Sequence, residues 1–170
     1  MEIVFIPNKK ISGISKVIDK LEKRLECKID ILDEARIEID GKPYDEYNLK
    51  NILIAISMGF SLNHAYKLLN DDYYFKYVDL KDLIKKDSEL LRIKARVIGT
   101  AGKTKNYIED VSGAVIALQD NTLGMIGTTE QLNIATAALQ VIVEGGTHKK
   151  AYRIMESLRK KYRWYYGRTC

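Results

Sequence analysis

At 170 residues, 46% hydrophobic and 30% charged, the chain has the size and composition of a globular protein with one domain or two small ones. No apolar run reaches membrane-spanning length, and Met1-Glu2-Ile3-Val4-Phe5-Ile6-Pro7 reads as a first strand, too short and too acidic for a secretion signal. Cys27 and Cys170 are too few for a disulfide framework and stand in no ligand spacing with His64 or His148, so the expectation is a cytoplasmic protein without metal or cofactor.

The net charge of +5 is unevenly placed: residues 1–85 carry 14 basic and 15 acidic side chains, residues 86–170 carry 14 and 8. The second half therefore carries a positive field suited to a polyanionic partner, against the plainer alternative of a solvated surface.

In chain order, Glu2 to Ile6 is a strand ended by Pro7, and Lys9 to Glu26 has helical spacing with Ile14, Val17, Ile18, Leu21 and Leu25 on one face. Lys28 to Leu32 and Arg36 to Ile39 alternate as half-buried strands across a turn at Asp33-Glu34. Asp40-Gly41-Lys42-Pro43 breaks the chain before a helix from Tyr44 to Met58, and Ser61 caps a short helix to Leu69. Asn70-Asp71-Asp72 is the best boundary. Tyr74 to Leu80 then reads as a strand, Ser88 to Ile98 and Lys103 to Ser112 as helices, and Ala114 to Leu118 and Thr122 to Ile126 as strands. Thr128 and Gln131 form a capping box ahead of a long helix that ends at Gly145-Gly146.

The halves overlay at an offset of about 86 residues, which places Cys27 on Gly113, Ile29 on Val115, Leu32 on Leu118, Ile37 on Leu123, Leu53 on Leu139 and Ile56 on Ile142. The segment 147–170 differs in character. Lys149, Lys150, Arg153, Arg159, Lys160, Lys161, Arg163 and Arg168 interleave with Tyr152, Tyr162, Trp164, Tyr165 and Tyr166. Cations for phosphates and aromatic faces for bases suit single-stranded nucleic acid, while Tyr152, Met155 and Leu158 have the spacing to pack the helix instead.

The chemistry concentrates at Gly99-Thr100-Ala101-Gly102, a Gly-x-x-Gly joint between two helices. Without a Cβ the backbone comes close to a ligand, and the second helix aims its free N–H groups at that joint, which favours a phosphate. Gly102-Lys103-Thr104 has the ending of a nucleotide-binding phosphate loop, but Val97 stands where that loop needs glycine, and helix rather than strand precedes it. No nucleophile–base pair or carboxylate pair stands out, so no enzyme activity is expected.

Val97-Ile98-Gly99-Thr100-Ala101-Gly102-Lys103-Thr104, then Ile108-Glu109, Val111-Ser112-Gly113-Ala114 and Val115-Ile116 together resemble the KH-domain signature. The fold class this implies is α+β: tandem type I KH-like domains, each a three-stranded sheet packed by helices on one face, plus a C-terminal basic helix. The divisions are 1–70, a degenerate KH-like domain in which Gly13 stands alone; 73–146, a KH domain with the glycine loop; and 147–170, the basic aromatic tail. KH loops clamp about four nucleotides of single strand. Carried over, Gly99, Thr100, Ala101 and Gly102 are the clamp, and Ile98, Ile108 and Ile116 the apolar platform or the core beneath it. Arg96, Lys103 and Lys105 are phosphate partners, and Arg92, Lys149, Lys150 and Arg153 complete the expected RNA contacts.

The two-domain plan, with Glu144-Gly145-Gly146-Thr147-His148-Lys149-Lys150-Ala151-Tyr152-Arg153, resembles the archaeal two-KH ribosome-assembly proteins related to the eukaryotic partner-of-Nob factor. That resemblance implies binding to the 3′ region of small-subunit ribosomal RNA. It also implies as partners the alpha subunit of archaeal translation initiation factor two and the Nob endonuclease. The alternatives are a protein-docking scaffold and a general KH binder of other RNA.

Overall fold

A computed structural model of the chain describes residues 1–6, 14–32 and 36–166. The Pro7 break, the start of the first helix, Gly13, the Asp33-Glu34 turn, Arg168 and Cys170 lie outside the described residues. The chain divides into two compact units, Met1–Asn70 and Asp71–Cys170.

The first unit runs β1 (Glu2–Phe5), α1 (Ile18–Leu25), β2 (Lys28–Ile31), β3 (Arg36–Asp40), α2 (Pro43–Ser57) and α3 (Leu62–Ala65), with a 3-10 turn over Tyr66–Leu69. Its sheet is antiparallel in the order β1–β3–β2. Strand alternation turns Val4, Ile29, Ile37 and Ile39 inward, all buried, while Lys28 and Asp30 stay in solvent. Pro43 opens α2, where its fixed φ suits the first turn and its missing N–H costs nothing. The Ser61 hydroxyl caps α3 by accepting from the His64 N–H at 3.2 Å.

The second unit runs β4 (Tyr73–Asp79), α4 (Leu80–Leu83), α5 (Asp87–Ile98), a 3-10 turn (Thr100–Gly102), α6 (Lys103–Ser112), β5 (Val115–Gln119), β6 (Thr122–Thr128), α7 (Thr129–Val143) and α8 (His148–Tyr166). Its antiparallel sheet has the matching order β4–β6–β5. One core joins Ile116, Leu123 and Met125 of the sheet to Ile93, Val97, Ile108, Leu132, Leu139 and Ile142 of the helices. The Thr128–Gln131 capping box starts α7. Two glycines stop it: Gly145, at φ +87°, donates to the Ile142 carbonyl at 3.1 Å, and Gly146 donates to that of Val141 at 2.8 Å.

The segment set apart as a tail is integral to this unit. Ala151 and Met155 of α8 are fully buried, with Leu158 and Tyr162 partly buried against the same core. That stripe at helical spacing packs α8 along α6 and α7.

Both units repeat one device. In the first, the Ile29 N–H donates to Glu22 Oε1 at 2.8 Å. In the second, the Ile116 N–H donates to Glu109 Oε1 at 2.7 Å. Each bond ties a strand to the helix before it, and each helix ends in a left-handed residue, Glu26 at φ 50° and Gly113 at φ 80°. These correspondences need an offset of 87, not 86, so three of the overlaid pairs shift by one: Cys27 answers to Ala114, Ile29 to Ile116 and Leu32 to Gln119. The hairpins explain it. Leu32 bonds back to Arg36 across three residues, whereas Gln119 pairs with Thr122 across two. Beyond the hairpins the offset is 86 again, so Ile37 answers to Leu123 and Leu53 to Leu139. On a strand a one-residue slip exchanges the core face for the outer face, which is why Ile29 is buried and Val115 is not.

Glu109→Ala leaves the Ile116 N–H without its acceptor. Loss of that bond destabilises the second unit by about 1–3 kcal/mol, measurable as a lower urea midpoint and faster exchange of the Ile116 amide.

Candidate nucleic-acid interface

Leu90, Ile93 and Val97 bury one face of α5, which fixes where the helix delivers the chain. The joint follows at once. Gly99 has φ +74°, Ala101 φ +51° and Gly102 φ +77°, so three of its four residues lie in the left-handed region. The Gly99 N–H closes α5 on the Ala95 carbonyl at 2.8 Å, and the Gly102 N–H bonds back to the Gly99 carbonyl at 3.2 Å.

The two glycines serve different needs. A Cβ at Gly99 would lie 2.7 Å from the Cβ of Thr104 and 2.8 Å from its backbone nitrogen, so that position is closed to any side chain. A Cβ at Gly102 would meet nothing nearer than Asn106 at 3.8 Å, so the outer side of the joint is open. Ala101, exposed on the turn, holds a left-handed conformation without being glycine, a strain of about 1–2 kcal/mol. The first turn of α6 follows with no side-chain cap, leaving its amide end available to an anion.

The cations divide into free and committed. Lys103, Arg92, Lys149, Lys150 and Arg153 are exposed, and Arg92 stands 3.6 Å from Glu89, both largely in solvent. Lys105 is paired with Glu109 at 3.0 Å on the same helix, so much of its charge is answered within the fold. Arg96, expected as a phosphate partner, is engaged within the fold. Its guanidinium donates to the carbonyls of Ile142, at 3.2 Å, and Gly146, where α7 ends, as a cation at a helix C-terminus should. Ile116, read as the platform or the core beneath it, belongs to the core: it is 2% exposed because it faces inward beside Met125. Ile108 is likewise buried, whereas Ile98 is 39% exposed beside the joint.

The His148 ring approaches the Arg96 carbonyl at 2.9 Å. That contact sets the start of α8 beside the last turn of α5, so Lys149, Lys150 and Arg153 occupy the end of α8 next to the joint. Trp164 and Tyr165, 55% and 57% exposed and edge-to-face at 5.1 Å, lie about 24 Å further along the helix. Between them Tyr107 of α6 stacks on Tyr152 at 4.5 Å and donates to Glu156. That hydrogen bond, then burial, pushes the Tyr107 phenol above the ordinary tyrosine range. On the other flank of α5, Lys94 Nζ donates to Asn121 Oδ1 in the β5–β6 turn at 3.2 Å.

Sequence reasoning missed one residue. Thr104 decides that position 99 is glycine, a fact visible only in three dimensions. Among the described residues no group of His, Cys, Asp and Glu is arranged to hold a metal ion, and no helix is long and apolar enough to cross a membrane.

Residues 74–160 match a family model described as a eukaryotic type KH-domain (KH-domain type I), for the second domain of PNO1. A KH domain-containing protein of Methanocaldococcus jannaschii is 31% identical over 170 residues, covering 95% of this chain and 75% of that one. A pre-rRNA-processing protein PNO1 of Chaetomium thermophilum is 30% identical over 152 residues, and the chain spans 58% of its length. A crystal structure of an a/eIF2alpha–aDim2p–rRNA complex from Pyrococcus horikoshii OT3 contains a similar chain, with a TM-score of 0.82, 31% identity and 94% coverage of both.

Arg96→Ala acts on stability before it acts on ligands. Losing a charged donor to two carbonyls costs about 2 kcal/mol, read as an earlier denaturation of the second unit.

Proposed function

The chain belongs to the PNO1 family of KH-domain proteins, and from that premise we propose that it binds single-stranded RNA at the Gly99–Gly102 joint as a non-enzymatic assembly factor of the small ribosomal subunit. The observation that carries the reading is the pairing of a closed position 99 with an open position 102. A backbone held left-handed at three points, with nothing outside it, lets a phosphate reach the amides of the α6 first turn.

Gly99, Thr100, Ala101 and Gly102 form the clamp, Ile98 offers an apolar edge for a base, and Lys103 supplies charge from the first residue after the joint. Arg92, Lys149, Lys150 and Arg153 extend the positive field on either side, and Lys105 contributes only if it leaves Glu109. The loop carries one cation within its immediate reach, so the affinity depends on this surrounding set. Small-subunit ribosomal RNA, its 3′ region in particular, is the target in this reading. The names of the relatives support it, one a pre-rRNA-processing protein and one in complex with rRNA. The same complex supports the alpha subunit of archaeal translation initiation factor two as a protein partner.

The first unit is proposed to take no part in clamping. The offset of 87 sets Ser12, Gly13, Ile14 and Ser15 against the four loop residues, and Ile14 is fully buried where Ala101 is exposed. The proposed domains are thus 1–70, without a glycine loop, and 73–146 with one, completed by the helix from 147 onward.

Gly102→Asp tests the clamp cleanly. Asp tolerates a left-handed backbone better than most residues, and the space outside is free, so the fold survives while a carboxylate meets the phosphate. RNA affinity measured by fluorescence anisotropy falls at least tenfold, with the melting curve little changed; unaltered affinity would sink the mechanism. Replacing Lys149, Lys150 and Arg153 together by Ala weakens binding across all RNA sequences and flattens its dependence on salt.

A further inference from the structure

α8 breaks two rules of helix electrostatics. Its sequence carries seven Lys and Arg against one acid, Glu156. Its first turn holds Lys149 and Lys150 and no acidic residue, although the positive end of the helix dipole stands there. Lys149 and Arg153, and likewise Arg159 and Arg163, are like charges four residues apart, which destabilises a helix. Among the described residues no carboxylate pairs with any of the seven cations. Glu156 itself is turned toward α6, where it accepts from the Tyr107 hydroxyl. A chain departs from such rules where function requires it.

The cations have a direction. Ala151, Met155, Leu158 and Tyr162 face the core. At about 100° per residue, Lys149, Arg153, Lys160 and Arg163 fall on the opposite side, all exposed, in a line about 21 Å long. Every exposed side chain from Lys149 to Arg163 is charged or polar, and exposed aromatics appear only beyond it, at Trp164 and Tyr165. α8 begins beside the last turn of α5, and its contacts with α6 run in step. Tyr107 meets Tyr152 and Glu156; further on, Asp110 shares a surface depression with Glu130, Arg159 and Arg163, without an ion pair to either arginine. The two helices are therefore parallel, and the line of cations leads away from the joint.

We propose that this line of α8 lies along the backbone of a double-stranded RNA segment adjoining the single strand at the joint, so that the protein recognises a junction between the two. This rests on the reading of the joint as an RNA clamp. Single strands are gripped by cations together with exposed stacking faces, and the line offers no such face over its length. An RNA duplex hides its bases, and its deep major groove is closed to side chains, so proteins meet it through phosphates and 2′-hydroxyls. Lysine and arginine at intervals along a straight rod suit that surface. The polyanion also relieves what the bare helix bears, repulsion between its cations and charge of the wrong sign at its first turn. An acidic protein segment is the competing occupant. It has less to recommend it, because the line starts at the clamp and contains no apolar anchor of the kind that centres a protein interface.

The test uses the full chain, fluorescence anisotropy and two kinds of RNA: a random-sequence single strand of eight nucleotides, and the same strand attached at the 5′ or the 3′ side of an eight-base-pair hairpin. The chain binds at least one of the tailed hairpins about tenfold more tightly than the strand alone. Lys160→Ala combined with Arg163→Ala removes that gain and leaves the single strand unaffected. For the tailed hairpin it also lowers the slope of log affinity against log salt by about two. Both positions are exposed and alanine favours helix, so the melting curve stays in place. Glu156→Gln keeps an acceptor for Tyr107, removes the one negative charge along the line, and tightens binding of the tailed hairpin but not of the strand. If neither hairpin binds more tightly than the strand, or the double variant weakens every RNA alike, the duplex contact is overturned, while a loss on Gly102→Asp leaves the clamp standing. If Gly102→Asp lowers no affinity, the clamp reading fails and the junction falls with it. If the double variant spares every RNA but weakens binding to the purified alpha subunit of initiation factor two, the line is a protein contact and the proposal is wrong.

Discussion

Thr104 occupies the space that a side chain at position 99 would need, and much of the second unit follows from that one exclusion. The chain leaving α5 also turns there with φ positive, a conformation that glycine adopts freely and others resist. Once the turn is left-handed, α6 starts within three residues and points its first amides at the same opening. Burial of Val97 on one side and Ile108 on the other pins both helices to the core, so the joint is held from below and open from above. Strain at Ala101 fits this picture: the surroundings over-determine a backbone that the residue itself would not choose.

The carboxylates of Glu22 and Glu109 perform the complementary task in the two units, each holding a strand amide against the preceding helix. Such a bond is worth more than its hydrogen-bond energy, because it fixes strand position and hence which residues face inward. In the second unit it also takes Lys105 out of circulation. A lysine two residues past the glycine loop looks from sequence like a phosphate ligand, and the fold spends it on orienting Glu109.

Helices and caps were the legible part of the chain. Lys103–Ser112, Gly113, the Thr128–Gln131 box and the paired glycines at 145–146 all stand where periodicity and capping rules place them. Their signals are local, within one or two turns. Strand phase was not legible, since one extra residue in a hairpin is invisible to an overlay that matches hydrophobic residues, yet it moved Ile29 from Val115 to Ile116. The site shows the same division. Gly99 to Gly102 could be read from spacing, but the fates of Arg96, Lys105 and Ile116 depend on partners that lie 46 residues away, one turn away and across a sheet. Charge at a position says that a cation is present and not whether the fold has already claimed it.

The stitch between Arg96, Gly146 and His148 sets an order of events during synthesis. The described strands and helices of the first unit all lie before residue 70. The second cannot settle its loop so early. The last turn of α5 stays unanchored until residues about 50 positions later arrive, and the core stays open until Ala151 and Met155 cover it. Domains fold as they leave the ribosome, earlier segments first, so a glycine loop not yet joined by α8 is a state the growing chain passes through. The shape of the loop therefore arrives late, coupled to the docking of α8, and a chain stalled near residue 146 would carry every residue of the loop without the frame that holds it.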